Sequence, residues 1–206
     1  MKNTRDFLSL KAIDRYPALK DVLYSRLAPA FHCKTHLTTT ELITLYRLAK
    51  RRINAMEVGS YLGASSCAIA AGINSNKGRL LCIDTWENDA MSEGAMDTFN
   101  EFKSNTMRFS KFIIPVRGWS NMVKDNVYGL TDSLDLLFID GDHSYEGAKQ
   151  DWDTYKSLLR EGSVVIFHDV GWATGVQRVI AEEVRHVTTK VGSLPNMWWG
   201  TLSKKP

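Results

Sequence analysis

Cysteine, long apolar runs and an excess of either charge are all scarce in this sequence. Its 206 residues include three cysteines, Cys33, Cys67 and Cys82. An odd number without a spacing pattern gives no disulfide framework and fits a reducing compartment. Cys67 and Cys82 lie in apolar runs, where a free thiol behaves as a small hydrophobe. No apolar run approaches the roughly 20 residues that a membrane-spanning helix needs. The opening residues M-K-N-T-R-D-F lack an apolar signal-peptide core, so a cytoplasmic protein with no membrane partner is expected. The formal net charge of +3 is too small and too dispersed for a nucleic-acid surface, which uses a concentrated basic stripe. Lys50-Arg51-Arg52 closes an expected helix, where cations complement the helix dipole. Internal repeats and low-complexity tracts are lacking as well.

What the chain does have is a 44% hydrophobic composition arranged in alternating strand and helix patterns. That is enough for one domain with a three-layer core. Strands are expected at 53–58, 80–84, 112–117, 134–139 and 163–167. Helices are expected at 64–71, 93–107, 120–127, 145–159 and 176–186, with a polar, mobile approach at 86–92. Strand–helix alternation predicts an α/β fold: a doubly wound, mostly parallel, Rossmann-like sheet. Two short extended runs, 187–191 and 198–202, flank a G-S-L-P-N turn and can pair as an antiparallel C-terminal edge. Residues 1–50 read as an N-terminal helical extension, a lid, preceding a ligand-binding domain over 51–206. Pro17 falls near the start of one helix there. Thr38-x-x-Glu41 reads as a capping box opening another, whose apolar face is Leu42, Leu45, Tyr46 and Ala49. The spacing His32-Cys33-x-x-His36 lacks the second ligand pair of a structural zinc site and reads as ordinary loop.

Chemistry concentrates between Leu134 and Val170. The segment L-D-L-L-F-I-D-G-D-H-S-Y-E ends a strand in Asp140, Asp142 and His143, and G-S-V-V-I-F-H-D-V ends the next in His168 and Asp169. A right-handed crossover brings both strand ends to one edge of the sheet, the edge at which open α/β sheets bind ligands. Upstream, E-V-G-S-Y-L-G-A-S-S follows the first strand. Gly59 and Gly63 permit a tight turn at a helix N-terminus. The middle glycine of the dinucleotide fingerprint is missing, and Tyr61 stands in its place, which weighs against a pyrophosphate on this loop. Asp84 ends the second strand about 20 residues beyond Gly63, where an acid hydrogen-bonds ribose hydroxyls. Glu57 would repel a phosphate and help hold a cationic ligand. S-adenosylmethionine combines a sulfonium, an ammonium and a ribose, with no phosphate. Each of these residues also has a simpler reading: Asp140 as a helix cap, His143 as a solvated loop residue, His168 as a satisfied buried histidine, Asp169 as a turn residue. Trp86, Trp119 and Trp172 follow strand ends and can stack on a ligand or simply pack.

These motifs together resemble class I S-adenosylmethionine-dependent O-methyltransferases. The resemblance runs over roughly residues 50–190 and is strongest to the metal-dependent type. That type includes the catechol and caffeoyl-CoA enzymes; F-I-D-G-D-H-S-Y-E, V-V-I-F-H-D and I-D-T-W-E-N-D resemble its sugar and natural-product branch. The resemblance implies cofactor contacts from Glu57, Gly59, Ser60, Tyr61, Gly63, Ser65, Asp84, Thr85, Ser120 and Asp140, with Asn121 near the adenine. It implies a divalent cation, Mg2+ or Mn2+, held by Asp140, His168 and Asp169. The family commonly has Asp-Asn or Asp-Asp where this chain has His168-Asp169. Imidazole binds magnesium less readily than it binds zinc, manganese or iron. So the metal differs, His168 has another role, or the site is metal-free. His143 takes the position of the family's catalytic base, with Asp142 orienting it or acting as base itself. The expected partner is a small hydroxylated acceptor, and a homodimer is compatible with this reading. An NAD-dependent oxidoreductase and a non-catalytic cofactor-binding protein are the alternatives.

Overall fold

The computed structural model describes residues 13, 19–73, 77–88 and 94–206. The expected helix start near Pro17, the start at Glu93 and the 89–92 part of the approach segment lie outside them. Among the described residues the chain forms a seven-stranded sheet of order β3-β2-β1-β4-β5-β7-β6. Its strands are β1 (Asn54–Val58), β2 (Arg79–Asp84), β3 (Ile113–Arg117), β4 (Leu134–Ile139), β5 (Leu159–His168), β6 (Thr188–Leu194) and β7 (Met197–Leu202). The first five are parallel, while β7 runs antiparallel to both β5 and β6. The expected doubly wound sheet with an antiparallel C-terminal edge is the architecture observed.

Period-two alternation builds the two faces of the sheet. Ala55, Leu80, Cys82, Leu136, Phe138, Val164 and Ile166 pack on one side. Met56, Leu81, Ile83, Leu137, Ile139, Val165 and Phe167 pack on the other. The first side is covered by α3 (Thr39–Ala49), α4 (Ala64–Ile73) and α5 (Phe99–Thr106). The short helices α1 (Leu19–Leu23) and α2 (Ala28–His32) precede them. The second side is covered by α6 (Lys124–Leu130), α7 (Tyr145–Tyr155) and α8 (Thr174–Val179). Every residue of α4 is buried, so its small side chains set how closely α3 can approach. A Cβ on Gly72 would stand 2.6 Å from the Tyr46 carbonyl oxygen, a contact only glycine allows.

The Thr38–Glu41 capping box is present and starts α3. Other boundaries differ from expectation. The helix expected from Ser120 starts at Lys124, because the Trp119 carbonyl accepts the Met122 and Val123 amides in a turn. The helix expected at 93–107 starts at Phe99, whose amide is held by the Asp97 carboxylate at 2.9 Å. The expected helix at 176–186 is α-helical only to Val179; it then widens into a π turn over Ile180–Val184 and tightens into a 3-10 turn. No helix among the described residues is long and apolar enough to cross a membrane.

Candidate active site

Register brings the strand ends together. Val58 is level with Ile83 and Ile139, and Ile139 with Phe167. Gly59, Asp84, Asp140 and His168 therefore leave the sheet side by side. Above them lies a cavity of about 910 Å³.

One wall is the loop after β1. The Gly59 amide donates to the Ile83 carbonyl at 2.9 Å, and the Asp140 amide donates to the Val58 carbonyl at 2.8 Å. At Gly59, φ is +86°, and a Cβ there would fall 2.0 Å from the Asp140 carbonyl oxygen. No other residue fits. Asp84 fixes the loop: one carboxylate oxygen accepts the Ser60 and Tyr61 amides at 2.8 and 2.7 Å, and the other accepts the Trp86 amide at 2.6 Å. Tyr61 has φ 45°, a strained conformation that these bonds hold in place. Of the expected cofactor contacts, Gly59, Ser60, Tyr61, Gly63, Ser65, Asp84, Thr85, Ser120 and Asp140 line the cavity, and Glu57 does not. Glu57 is fully buried beneath the loop, where Ser60 and Ser66 donate to its Oε2 and its Oε1 has no hydrogen-bond partner. Burial pushes its pKa up to about 7, against the lowering effect of hydrogen bonds from Ser65, Ser66 and Ser60. At this depth the Glu57 carboxyl braces the loop from behind.

The opposite wall is built from ion pairs. Asp169, at φ 59°, accepts from His143 Nε2 at 2.8 Å, Trp172 Nε1 at 2.9 Å and Asn196 Nδ2 at 2.9 Å. His168 is buried, with Nδ1 3.1 Å from Asp140 and 3.3 Å from Asp169, and Nε2 3.5 Å from Glu41. Burial opposes a charge on this ring, but the hydrogen bonds to Asp140, Asp169 and Glu41 outweigh it and push the pKa up to about 12. Three carboxyl groups enclose the ring and favour its protonated form. Asp169 is desolvated, which alone would raise its pKa, yet His143 and His168 hold it well below the usual carboxylate range. Burial raises Asp140. His143 is raised, chiefly by its hydrogen bond to Asp169.

This arrangement bears on two expectations. Asp140, His143 and Asp169 bring one donor atom each within 4.8 Å of one another, so His143 joins the residues that could hold a metal. Both His168 nitrogens already face carboxylates. The partner that orients His143 is Asp169; Asp142 instead accepts the Ser144 amide at 2.7 Å and shapes the entry to α7. Among the tryptophans, Trp119 and Trp172 line the cavity and are more than half exposed, whereas Trp86 is buried against Phe99 and Phe102. Cys33, from the short-spaced histidine segment, donates to the Leu62 carbonyl at 3.2 Å.

Three residues of the cavity region escaped the sequence reading. Asp151 lines the cavity from α7, where an acid lies on the same face as Ala148, Trp152 and Tyr155. That acid on an apolar face was the available signal. Glu41 is buried on the face of α3 shared with Leu42 and Leu45, but the capping box accounts for only one of its oxygens. Asn196 sits in the β6–β7 turn, where turn chemistry alone explains an asparagine.

With that geometry in place, comparison decides the family. A family model described as "Methyltransferase domain" matches residues 56–170, from β1 to the turn after β5. This chain belongs to the methyltransferase-domain family. The O-methyltransferase from Bacillus cereus, solved in complex with SAH, superposes with a TM-score of 0.69 at 18% identity, over 94% of this chain and 97% of that one. TomG from Streptomyces achromogenes, an O-methyltransferase involved in tomaymycin synthesis and solved with SAM, superposes with a TM-score of 0.64 at 16% identity, over 81% of each chain. An uncharacterised protein of Sinorhizobium fredii (strain NBRC 101917 / NGR234), y4gI, is 28% identical over 130 residues. That match covers 61% of this methyltransferase-domain chain and 14% of the longer relative. The matched residues include Glu57 and, from the two walls, Asp84, Asp140, His143 and Asp169.

Proposed function

We propose that this chain is an S-adenosylmethionine-dependent O-methyltransferase acting on a hydroxyl of a small molecule, a sugar or another natural product. The observation that carries this reading is the continuity of the cavity. One hollow joins the glycine loop and Asp84 to the His143–Asp169 pair. Its volume of about 910 Å³ leaves room for two ligands, since single-ligand sites start near 300 Å³. The solved relatives with bound SAH and SAM support the choice of donor. The lining favours it over NAD: Lys34 is the one lysine or arginine among the lining residues, against Asp84, Asp140, Asp142, Asp151 and Asp169. A pyrophosphate would be repelled by the excess of carboxylates there, whereas a sulfonium and an ammonium would be attracted.

When bound, S-adenosylmethionine supplies a methyl group on a cationic sulfur that leaves as a neutral thioether. This chain's residues supply alignment and a proton acceptor. Gly59 and its neighbours admit the donor closely, and the remaining acceptor capacity of Asp84 faces the ribose. Asp169 holds His143 through Nε2, which leaves Nδ1 to take the proton of the attacking hydroxyl. Asp169 also stabilises the resulting imidazolium. Trp172, edge-on to His143 with ring centroids 4.8 Å apart, forms part of the acceptor's rim. Residues 34–37 line the cavity, which supports a lid role for the N-terminal helical extension.

A divalent cation fits the donor set of Asp140, Asp169 and His143, two carboxylates and an imidazole, which suits Mn2+ better than Mg2+. When bound, such a cation supplies Lewis acidity that lowers the pKa of a coordinated hydroxyl. A second, cation-free reading has its own support: the His168 imidazolium already places positive charge between Asp140 and Asp169. The test is methyl transfer from S-adenosylmethionine to a panel of hydroxylated acceptors, read by mass spectrometry with and without EDTA. Loss of turnover that Mn2+ restores supports the cation. Turnover indifferent to EDTA assigns activation to His143 and Asp169 alone. No transfer to any acceptor, with no binding of S-adenosylhomocysteine, overturns the proposal.

A further inference from the structure

The capping box at the start of α3 uses one of the two Glu41 oxygens. Oε2 accepts the Thr38 amide at 2.7 Å and the Thr38 hydroxyl at 2.8 Å. Oε1 faces the other way, 3.5 Å from His168 Nε2. Both side chains are 3% exposed, so water does not stand in for either partner. The Asn196 amide nitrogen also lies 3.5 Å from Nε2, but it is a donor, and Asp169 already accepts it at 2.9 Å. Glu41 is therefore the acceptor that faces Nε2 among the described residues.

A cap alone does not require an acid. Glutamine serves a capping box as glutamate does, because one acceptor oxygen satisfies the N-cap amide. Here donors stand at both ends of the carboxyl group, the Thr38 N–H at one and the His168 ring N–H at the other. A carboxylate offers an acceptor to each, whereas an amide offers one acceptor and turns its own N–H groups on the second donor. The His168 end leads to the chemistry. Its Nδ1 lies 3.1 Å from Asp140 and 3.3 Å from Asp169, and Asp169 holds His143 at 2.8 Å. Rotation of the His168 ring would withdraw Nδ1 from both carboxylates. Resting on the O-methyltransferase reading above, we propose that Glu41 is a positioning residue: its second oxygen fixes the His168 ring, and through that ring the Asp169 carboxylate that orients His143. The clamp is complete only when the first turn of α3 is formed. Residues 34–37 lead into that turn and line the cavity, so their docking is tied to the assembly of this wall.

The test compares Glu41→Gln with Thr38→Ala in the full chain. Glu41→Gln should lower kcat for the acceptor found in the panel above by about 10- to 100-fold, and leave the affinity for S-adenosylhomocysteine, read by calorimetry, within about threefold of wild type. Thr38→Ala removes the cap hydroxyl but keeps the backbone amide on Oε2. It should lower the melting temperature and leave kcat within about threefold of wild type. A readout that needs no acceptor is heteronuclear NMR of the histidine ring N–H groups, with the His168 signal assigned by its loss in His168→Asn. That signal should persist in wild type and Thr38→Ala, and move or broaden beyond detection in Glu41→Gln. Wild-type kcat or an unmoved ring signal in Glu41→Gln overturns the proposal. So does an equal loss of kcat in Thr38→Ala, or a loss of donor affinity that matches the loss of kcat. If wild type binds no S-adenosylhomocysteine and methylates nothing, the O-methyltransferase reading has failed, and the ring signal alone decides whether Glu41 holds His168.

Discussion

Across the cavity, two walls hold their carboxylates by different means. On the β1–β2 side, Asp84 is held by three backbone amides. On the β4–β5 side, Asp140 and Asp169 are held by side chains from distant parts of the chain: Glu41 acts through His168 from α3, and Asn196 comes from the last hairpin. Backbone bonds are set by the local loop conformation, so the first wall is rigid once Gly59 turns. The second wall depends on several elements docking together, and its charges must balance one another in a partly dry site.

The sharpest way to break the first wall is Gly59→Ala. The added methyl meets the Asp140 carbonyl and a φ of +86°, so binding of S-adenosylhomocysteine should fall below detection and the melting temperature should drop. Retained binding would show that the loop can shift without loss, contrary to its described rigidity. For the second wall, His143→Ala should lower kcat by roughly 10²- to 10⁴-fold while leaving donor affinity almost unchanged. A matching loss of donor affinity would mean that the two walls are not separable.

Glu57 offers a pH test of the layer behind the first wall. Its carboxyl is raised from 4.5 to about 7 in the folded protein, so the native state binds more protons than the unfolded state across that window. Stability from this group is present at low pH and lost as pH rises from 4.5 through 7. Relative to Glu57→Gln, wild type should lose up to ~3 kcal/mol between those limits, a value to be checked by urea denaturation at several pH values. Parallel curves for the two proteins would show that the buried carboxyl finds a compensating partner. A smaller effect is expected from Asn196→Ala, which removes one hydrogen bond to a charged Asp169. It should lower kcat/KM by about 10-fold, with the fold intact by circular dichroism.

The same contrast explains what the sequence could reveal. The glycine loop and Asp84 were legible because a local motif, strand then G-S-Y-L-G then helix, dictates the backbone bonds that make them. The β4 and β5 ends were legible because apolar strands stop abruptly at Asp140 and at His168-Asp169. Pairings were not legible. Nothing adjacent to His168 indicates that Glu41 lies across from it, and nothing adjacent to His143 selects Asp169 over Asp142 as its partner. Burial depth was not legible either: Glu57 stands at a strand end, and its full burial follows from the central place of β1 in the sheet. Helix starts at Phe99 and Lys124 were missed because a turn residue, Asp97 or Trp119, intercepts the first amides.

Ligand-induced stabilisation probes the shared cavity most directly. Thermal melting of the full chain should shift upward with S-adenosylhomocysteine and stay unchanged with NAD, and Asp84→Ala should abolish the shift. A shift with NAD and none with S-adenosylhomocysteine would contradict the account.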